Sequence, residues 1–272
     1  MRNESLVLQY RQLQRQEAAA LAEQGRHLLT APMQRLEDLV EEKTDRDLMQ
    51  EIAKVIEPSL TAYLKHYTPF QEREARRRRL QQGLGISSPQ ALYTLPVATL
   101  DRYARKAVQK SGLFAGLTGS VGAVGGVAVA MLELPVLLRT ATDTLETVSE
   151  AYGHDPHHYF EKLYLLMLVP FALTPDPEER QMVHDKMNLL ENWLQQGDIP
   201  LGEREAYYPP QEAAAFCAER IARALVLNRL LQALPLAGAL LGASMNFDFV
   251  HRLGRQGLLF YKLRYLKKRL GL

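Results

Sequence analysis

An all-α fold is what this sequence predicts: a compact multi-helix bundle with a central pair of Gly/Ala-rich apolar helices. Three observations carry that expectation. Apolar residues recur at helical spacing along most of the chain, no segment alternates with a period of two, and prolines at 156, 175, 177, 200, 209 and 210 punctuate the helical stretches. At 272 residues, with 47% hydrophobic and 24% charged residues, the chain is long enough to bury a large core.

Taken in order, residues 4–29 form a helix with Leu6, Tyr10 and Leu13 on its apolar side, and 33–43 a short helix opened by Pro32. Residues 46–67 carry the clearest amphipathic stripe: Leu48, Ile52, Val55, Ile56, Leu60, Tyr63 and Leu64, with Pro58 as the expected kink. The charge run from Glu72 ends in Arg76, Arg77, Arg78 and Arg79, read as a solvated helix face with phosphate binding as the alternative. Gly83, Gly85, Ser87, Ser88 and Pro89 then break the pattern and suggest a boundary between an N-terminal helical region, 1–88, and a helical core, 89–272. Further helices follow at 96–110, 111–132, 134–152 (opened near Pro135), 157–173, 177–195, 210–233 and 235–269.

Charge is unevenly distributed. Residues 1–110 sum to +4, residues 111–222 to −10 and residues 223–272 to +8. A basic C-terminal arm serves an anionic surface or the protein's own acidic middle. The N-terminus lacks the basic region and apolar stretch of a secretory signal, which predicts no export by that route. A single cysteine, Cys217, excludes an internal disulfide and reads as a core residue of an Ala-rich helix.

The run from Gly112 to Leu132 holds six glycines and no charge. Gly112 and Gly116, then Gly122 and Gly126, are four apart, as are Gly238 and Gly242 in the second run, Leu234 to Phe247. Small residues at that spacing share a helical face and admit a second backbone, so the two runs are expected to pair. Three readings remain open for them: a membrane span, a buried helix pair, or a shallowly inserted element. Apolar Leu113, Phe114 and Leu117 would face lipid in the last. In the C-terminal helix, Leu259, Leu263, Leu266 and Leu270 form one face, with Lys262, Arg264, Lys267, Lys268 and Arg269 around it. That composition suits an interfacial helix on anionic lipid, or a surface helix with a basic solvent face.

Candidate chemistry is sparse. His154, His157 and His158 cluster near Asp155 and Glu161, and His158 and Glu161 are spaced to face one ion; Asp248 and His251 repeat the spacing. Glu133 is expected to cap the next helix, pair with Arg139 or line a polar point. Thr118 breaks the G-x-S-x-G pattern, and the glycines match neither phosphate-binding nor dinucleotide-binding spacing.

Three motifs in order resemble the EcsC family between Leu95 and Leu266. They are MLELPVLLRT with Glu133, Pro135 and Arg139; Tyr152-Gly153-His154-Asp155-Pro156; and the Gly238, Gly242, Asn246 segment that runs on to Tyr261 and Arg264. The resemblance implies a bacterial protein whose family has no settled function, a founding gene beside an ABC transporter, and no catalytic residue.

The leading expectation is a non-enzymatic protein at the inner face of the cytoplasmic membrane, with an anionic lipid surface or a membrane protein as partner. No cofactor and no nucleic acid are expected. A metal-dependent hydrolase using His154, Asp155, His157, His158 and Glu161 is the second expectation, and a soluble cytoplasmic adaptor the third. Neutralising Lys267, Lys268 and Arg269 is expected to weaken lipid binding.

Overall fold

A computed structural model describes residues 2–22, 43–122, 126–174, 176–195, 208–232 and 238–272; within these, the side chains of 2–3, 43–45, 116–122, 126–133, 224–225, 227–232 and 238–246 lie outside the description. The helix expected at 33–43 falls outside the described residues, as do the side chains of Leu117, Glu133 and Asn246.

The described helices are α1 (Arg2–Ala22), α2 (Lys43–Lys65), α3 (Phe70–Leu84), a 3-10 turn (Pro89–Thr94), α4 (Val97–Gly122), α5 (Gly126–Ala151), α6 (Tyr159–Leu173), α7 (Pro177–Gln195), α8 (Pro210–Gln232) and α9 (Gly238–Leu270). No strand occurs among the described residues, so the protein is all-α.

The centre of the molecule is α6. Its sequence, YFEKLYLLMLVPFAL, is apolar all round, and every residue but Ala172 is buried. Helices α2, α5, α7, α8 and α9 pack against it. Pro170 lies within α6 and has no N–H to give the Leu166 carbonyl. The Cys217 thiol of α8 donates to that oxygen instead, at 3.8 Å. Burial pushes the thiol's pKa well up, so Cys217 is a core residue, as its Ala-rich surroundings suggest.

The Gly-rich run differs from its expected form. It is not one 22-residue helix. Helix α4 continues unbroken from Val97 to Gly122, and α5 starts at Gly126, nine residues before Pro135. The run is thus divided between two helices that pack together and, with three residues between them, run antiparallel. Helix α9 packs along α4 and α5. A Cβ on Gly112 would stand 3.2 Å from the Phe247 ring, so the two Gly-rich runs do meet there.

Among the described glycines of α9, close approaches to other helices fall at Gly254 and Gly257. A Cβ on Gly254 would meet Val108 of α4 at 2.4 Å, and one on Gly257 would meet Leu145 of α5 at 2.7 Å. Three helices come together at this glycine pair.

N-terminal helices share the same core. Leu13, Ile52, Ile56, Leu60, Leu80 and Leu84 join one apolar cluster with Leu100, Leu145, Leu165 and Leu266. Helix α1 packs on α9 and α2 on α8, so the Gly/Ser stretch at 83–89 joins parts that share one interior.

Candidate functional site

The Tyr152-to-Pro156 motif turns the chain from α5 into the central helix. Gly153 has φ +79°, a left-handed conformation that favours glycine. The Gly153 N–H donates to the Glu150 carbonyl at 3.0 Å and that of His154 to the Ser149 carbonyl at 3.1 Å. This is a Schellman cap, and it satisfies the last carbonyls of α5. Asp155 then accepts from the backbone N–H of His157 at 3.0 Å, shaping the turn before α6.

Glu161 lies two residues inside α6 and is buried. Arg264 of α9 meets it with two parallel hydrogen bonds, 2.7 and 2.9 Å, at side-chain exposures of 7% and 3% for Arg264 and Glu161. The guanidinium also lies 4.3 Å from the centre of the Tyr164 ring. Burial pushes the Glu161 carboxyl up, but Arg264 outweighs it and holds the group below its usual range. His154 packs its ring 5.3 Å from that of Tyr261; burial and then Arg264 push its pKa down to about 3.

The expected metal set is therefore not assembled. Both Glu161 oxygens are taken by Arg264, and Asp155 is engaged in its turn. Among the described residues no three His, Cys, Asp or Glu side chains converge to hold an ion. His251 stacks on Phe247 at 5.6 Å, and Asp248 is exposed. His154, Asp155, His158, Glu161, Arg264 and Lys268 do line a common cleft of about 750 Å³.

Much of the C-terminal arm is turned inward, although Lys268 is exposed. Tyr261, Tyr265 and Leu266 are fully buried, Leu263 is buried and Leu259 half-buried. Lys262 donates to Asp101 at 2.6 Å and Lys267 to Glu191 at 2.9 Å. Lys268 lies over the Tyr93 ring, and Arg269 reaches the Leu95 carbonyl and the Tyr265 hydroxyl. Much of the arm's charge thus meets the protein's own acidic and aromatic groups. Arg76 behaves in the same way: it pairs with Glu146 at 2.6 Å and Asp143 at 3.5 Å, so the first of the four arginines does not belong to a solvated face. Arg139 pairs with Asp143 at 3.5 Å.

What faces solvent is the outer side of α4. Arg102, Lys106, Gln109 and Lys110 are exposed, and the same face continues into Leu113 and Phe114, 63% and 52% exposed. Val136 on α5 is 51% exposed, next to exposed Pro135 and one turn from exposed Arg139. Beyond this level, α4 from Gly112 and α5 back to Gly126 carry one charge, Glu133. Each limb of about eleven residues is about 16 Å long, half the thickness of a bilayer's hydrocarbon core. Among the described residues no helix is long and apolar enough to cross a membrane.

A polar cleft of about 1250 Å³ lies between α1, α4 and α9. The Tyr152 hydroxyl donates to Asp101 at 2.6 Å, so one carboxylate ties α5 and α9 to α4 at the cleft wall. Burial and then Asp101 push the Tyr152 hydroxyl's pKa far up. Gln9, Gln12 and Gln16 of α1 line the opposite wall. Nothing in the sequence separated these glutamines from other polar helix residues; only their shared face, at spacings of three and four, marks them.

Together these features define a single-core helical bundle whose motif residues cap helices and close buried pairs. The EcsC protein family matches residues 8–266, so the chain belongs to that family, N-terminal helices included. It is similar to "Uncharacterized protein YdbA" of Bacillus subtilis (strain 168), 22% identical over 184 residues, 64% of this chain and 61% of the relative. It is also similar to "Protein EcsC" of the same organism, 24% identical over 178 residues, 65% of this chain and 68% of the relative. The matched stretch thus spans less than two thirds of the first relative's length. No solved structure matches the chain.

Proposed function

We propose that this protein associates peripherally with the inner face of the cytoplasmic membrane, inserting the apolar ends of α4 and α5 shallowly into an anionic leaflet. The observation that carries the reading is the change of character along one exposed helical face. Lys106 and Lys110 give way within a turn to Leu113 and Phe114, where a helix in water would keep its charges. Cations at the base of an apolar element match headgroup phosphate at the edge of hydrocarbon. A 16 Å limb enters one leaflet and does not reach the other. The role is binding, not catalysis, with lipid or a membrane protein as partner.

Flotation with vesicles containing phosphatidylglycerol tests the reading. The protein should rise with them at low salt. Leu113→Asp combined with Phe114→Asp should lower binding at least about tenfold. Both side chains are exposed, so the variant should fold. A protein that stays at the bottom at low salt, or a double variant that floats as well as wild type, overturns the proposal.

A further inference from the structure

We infer that the cleft between α1, α4 and α9 binds a phosphorylated polyol, of which a glycerol phosphate unit is the simplest example. The inference rests on the membrane reading only for the source of that unit, a lipid headgroup or the free compound. Among the described residues, four charged side chains line the cleft: Asp101, Arg105, Arg255 and Lys262. Asp101 is already engaged by Lys262 and by the Tyr152 hydroxyl, leaving the cleft two further cations, Arg105 and Arg255. Both are exposed, and among the described residues neither forms an ion pair. Guanidinium groups present paired N–H donors that match a phosphate's oxygens.

The opposite wall has a different chemistry. Gln9, Gln12 and Gln16 project amides from one face of α1, and Gln256 adds a fourth from α9. The Gln9 and Gln256 side-chain oxygens are buried with no hydrogen-bond partner among the described residues. An amide offers two donors and an acceptor, and a hydroxyl both gives and takes, so a row of amides suits adjacent hydroxyls. Among the described residues, Asp101 is the one carboxylate that lines the cleft, and Lys262 already neutralises it.

Position supports a headgroup as the source. Phe247 of α9 meets Gly112 of α4 where the apolar ends begin. Arg105 lies seven residues before Gly112 and Arg255 eight after Phe247, about 10–12 Å along their helices. A molecule inserted to the level of Leu113 therefore holds the backbone of the two arginines a few Å outside the headgroup layer, which is about 5–8 Å deep on each side of the hydrocarbon, so that their long side chains can reach it.

Two arms test the inference on the full chain. In solution, sn-glycerol 3-phosphate at ten times its Kd should raise the melting temperature by about 2–3 °C. Arg105→Gln combined with Arg255→Gln should abolish that shift without lowering the melting temperature of the free protein by more than about 2 °C. On vesicles of equal charge, phosphatidylglycerol should bind about tenfold better than phosphatidylserine, and the double variant should lose the preference. Stabilisation without lipid preference supports the cleft and identifies the free compound as its occupant, even if the protein fails to float. Lipid preference lost in the variant, without stabilisation in solution, supports the headgroup. Neither stabilisation nor preference overturns the inference, whether or not the protein binds vesicles.

Discussion

Replacing Arg264 with methionine tests a buried ion pair between α9 and the central helix. The guanidinium makes hydrogen bonds of 2.7 and 2.9 Å to the Glu161 carboxylate and lies over the Tyr164 ring. Arg264→Met keeps much of the side-chain volume but leaves a carboxylate buried inside α6 without its partner. Breaking such a pair from one side costs about 3–5 kcal/mol, which in a chain of this size lowers the melting temperature by about 5–9 °C. The pH dependence has a definite sign. In the wild type the folded pKa of Glu161 lies below its unfolded value, so its contribution is present above about pH 4.3 and lost as pH falls through the folded pKa. In the variant, burial, the largest influence, is opposed only by His154 and the Tyr261 hydroxyl and raises the folded pKa, so the penalty grows as pH rises above about 4.3. Urea unfolding at pH 7.5 and pH 5 should therefore show a gap between wild type and variant that narrows at the lower pH. Glu161→Leu combined with Arg264→Met removes both charges and should recover stability to within about 2 kcal/mol of wild type. A single variant within about 1 kcal/mol of wild type at both pH values would refute the assignment of this pair.

Three further outcomes follow from the packing and the surface. Gly254→Ala should lose about 1–2 kcal/mol in urea unfolding despite alanine's better helix propensity, because its Cβ meets Val108 at 2.4 Å; adding Val108→Ala should relieve that clash. The Glu150 carboxyl is raised to about 7 by burial, with Arg76 opposing and Glu146 adding to the rise. The neutral acid is therefore favoured in the fold, and its contribution, roughly 3 kcal/mol, is present below about pH 4.3 and lost as pH rises through about 7; Glu150→Gln should gain on wild type at pH 8 and match it near pH 4. In flotation, Lys106→Gln with Lys110→Gln should weaken vesicle binding about thirtyfold, whereas neutralising Lys267, Lys268 and Arg269 should change it less than about threefold, since that arm faces the protein's own groups.

Much of the fold was legible because helical periodicity and proline placement are local properties. The bounds of α6 and α7 follow from Pro156, Pro175 and Pro177, and the stripe of α2 buries Ile52, Ile56, Leu60 and Leu64 as spaced. Which helix is central was less visible, although an all-apolar sequence from Tyr159 to Leu173 carries the signal. The same sequence held another clue. Glu161 and Lys162 are adjacent charges in an apolar helix, and charges there require partners. Glu161 finds Arg264; the Lys162 ammonium donates to the Tyr63 and His66 carbonyls and closes the C-terminal end of α2. Arg180 likewise donates to the Ala20 carbonyl of α1 and to the Thr174 carbonyl after α6. The Thr174 contact apart, such pairings join residues about 100 to 160 positions apart and leave no local pattern to read. The glycines at 254 and 257 were obscured for a related reason: their need comes from Val108 and Leu145 on other helices.

Motif residues and functional residues are separable on physical grounds in this chain. Gly153 is required by a left-handed cap, Tyr152 by its bond to Asp101, and Arg264 by a buried carboxylate. The Gly153 conformation, the Tyr152 hydroxyl and the two terminal nitrogens of Arg264 are committed to holding helices in place, and a group so committed has little left with which to meet a ligand. A motif made of such residues marks the scaffold. Arg105, Arg255 and the glutamine row are in the opposite condition: they line a cleft, and Gln9 and Gln256 keep buried oxygens without partners. Leu113 and Phe114 expose apolar surface where a helix in water would carry charge. The cleft groups and the exposed apolar surface at Leu113 and Phe114 are therefore where binding should be sought first. Substitution there should change binding and spare folding, while substitution in the motifs should do the reverse.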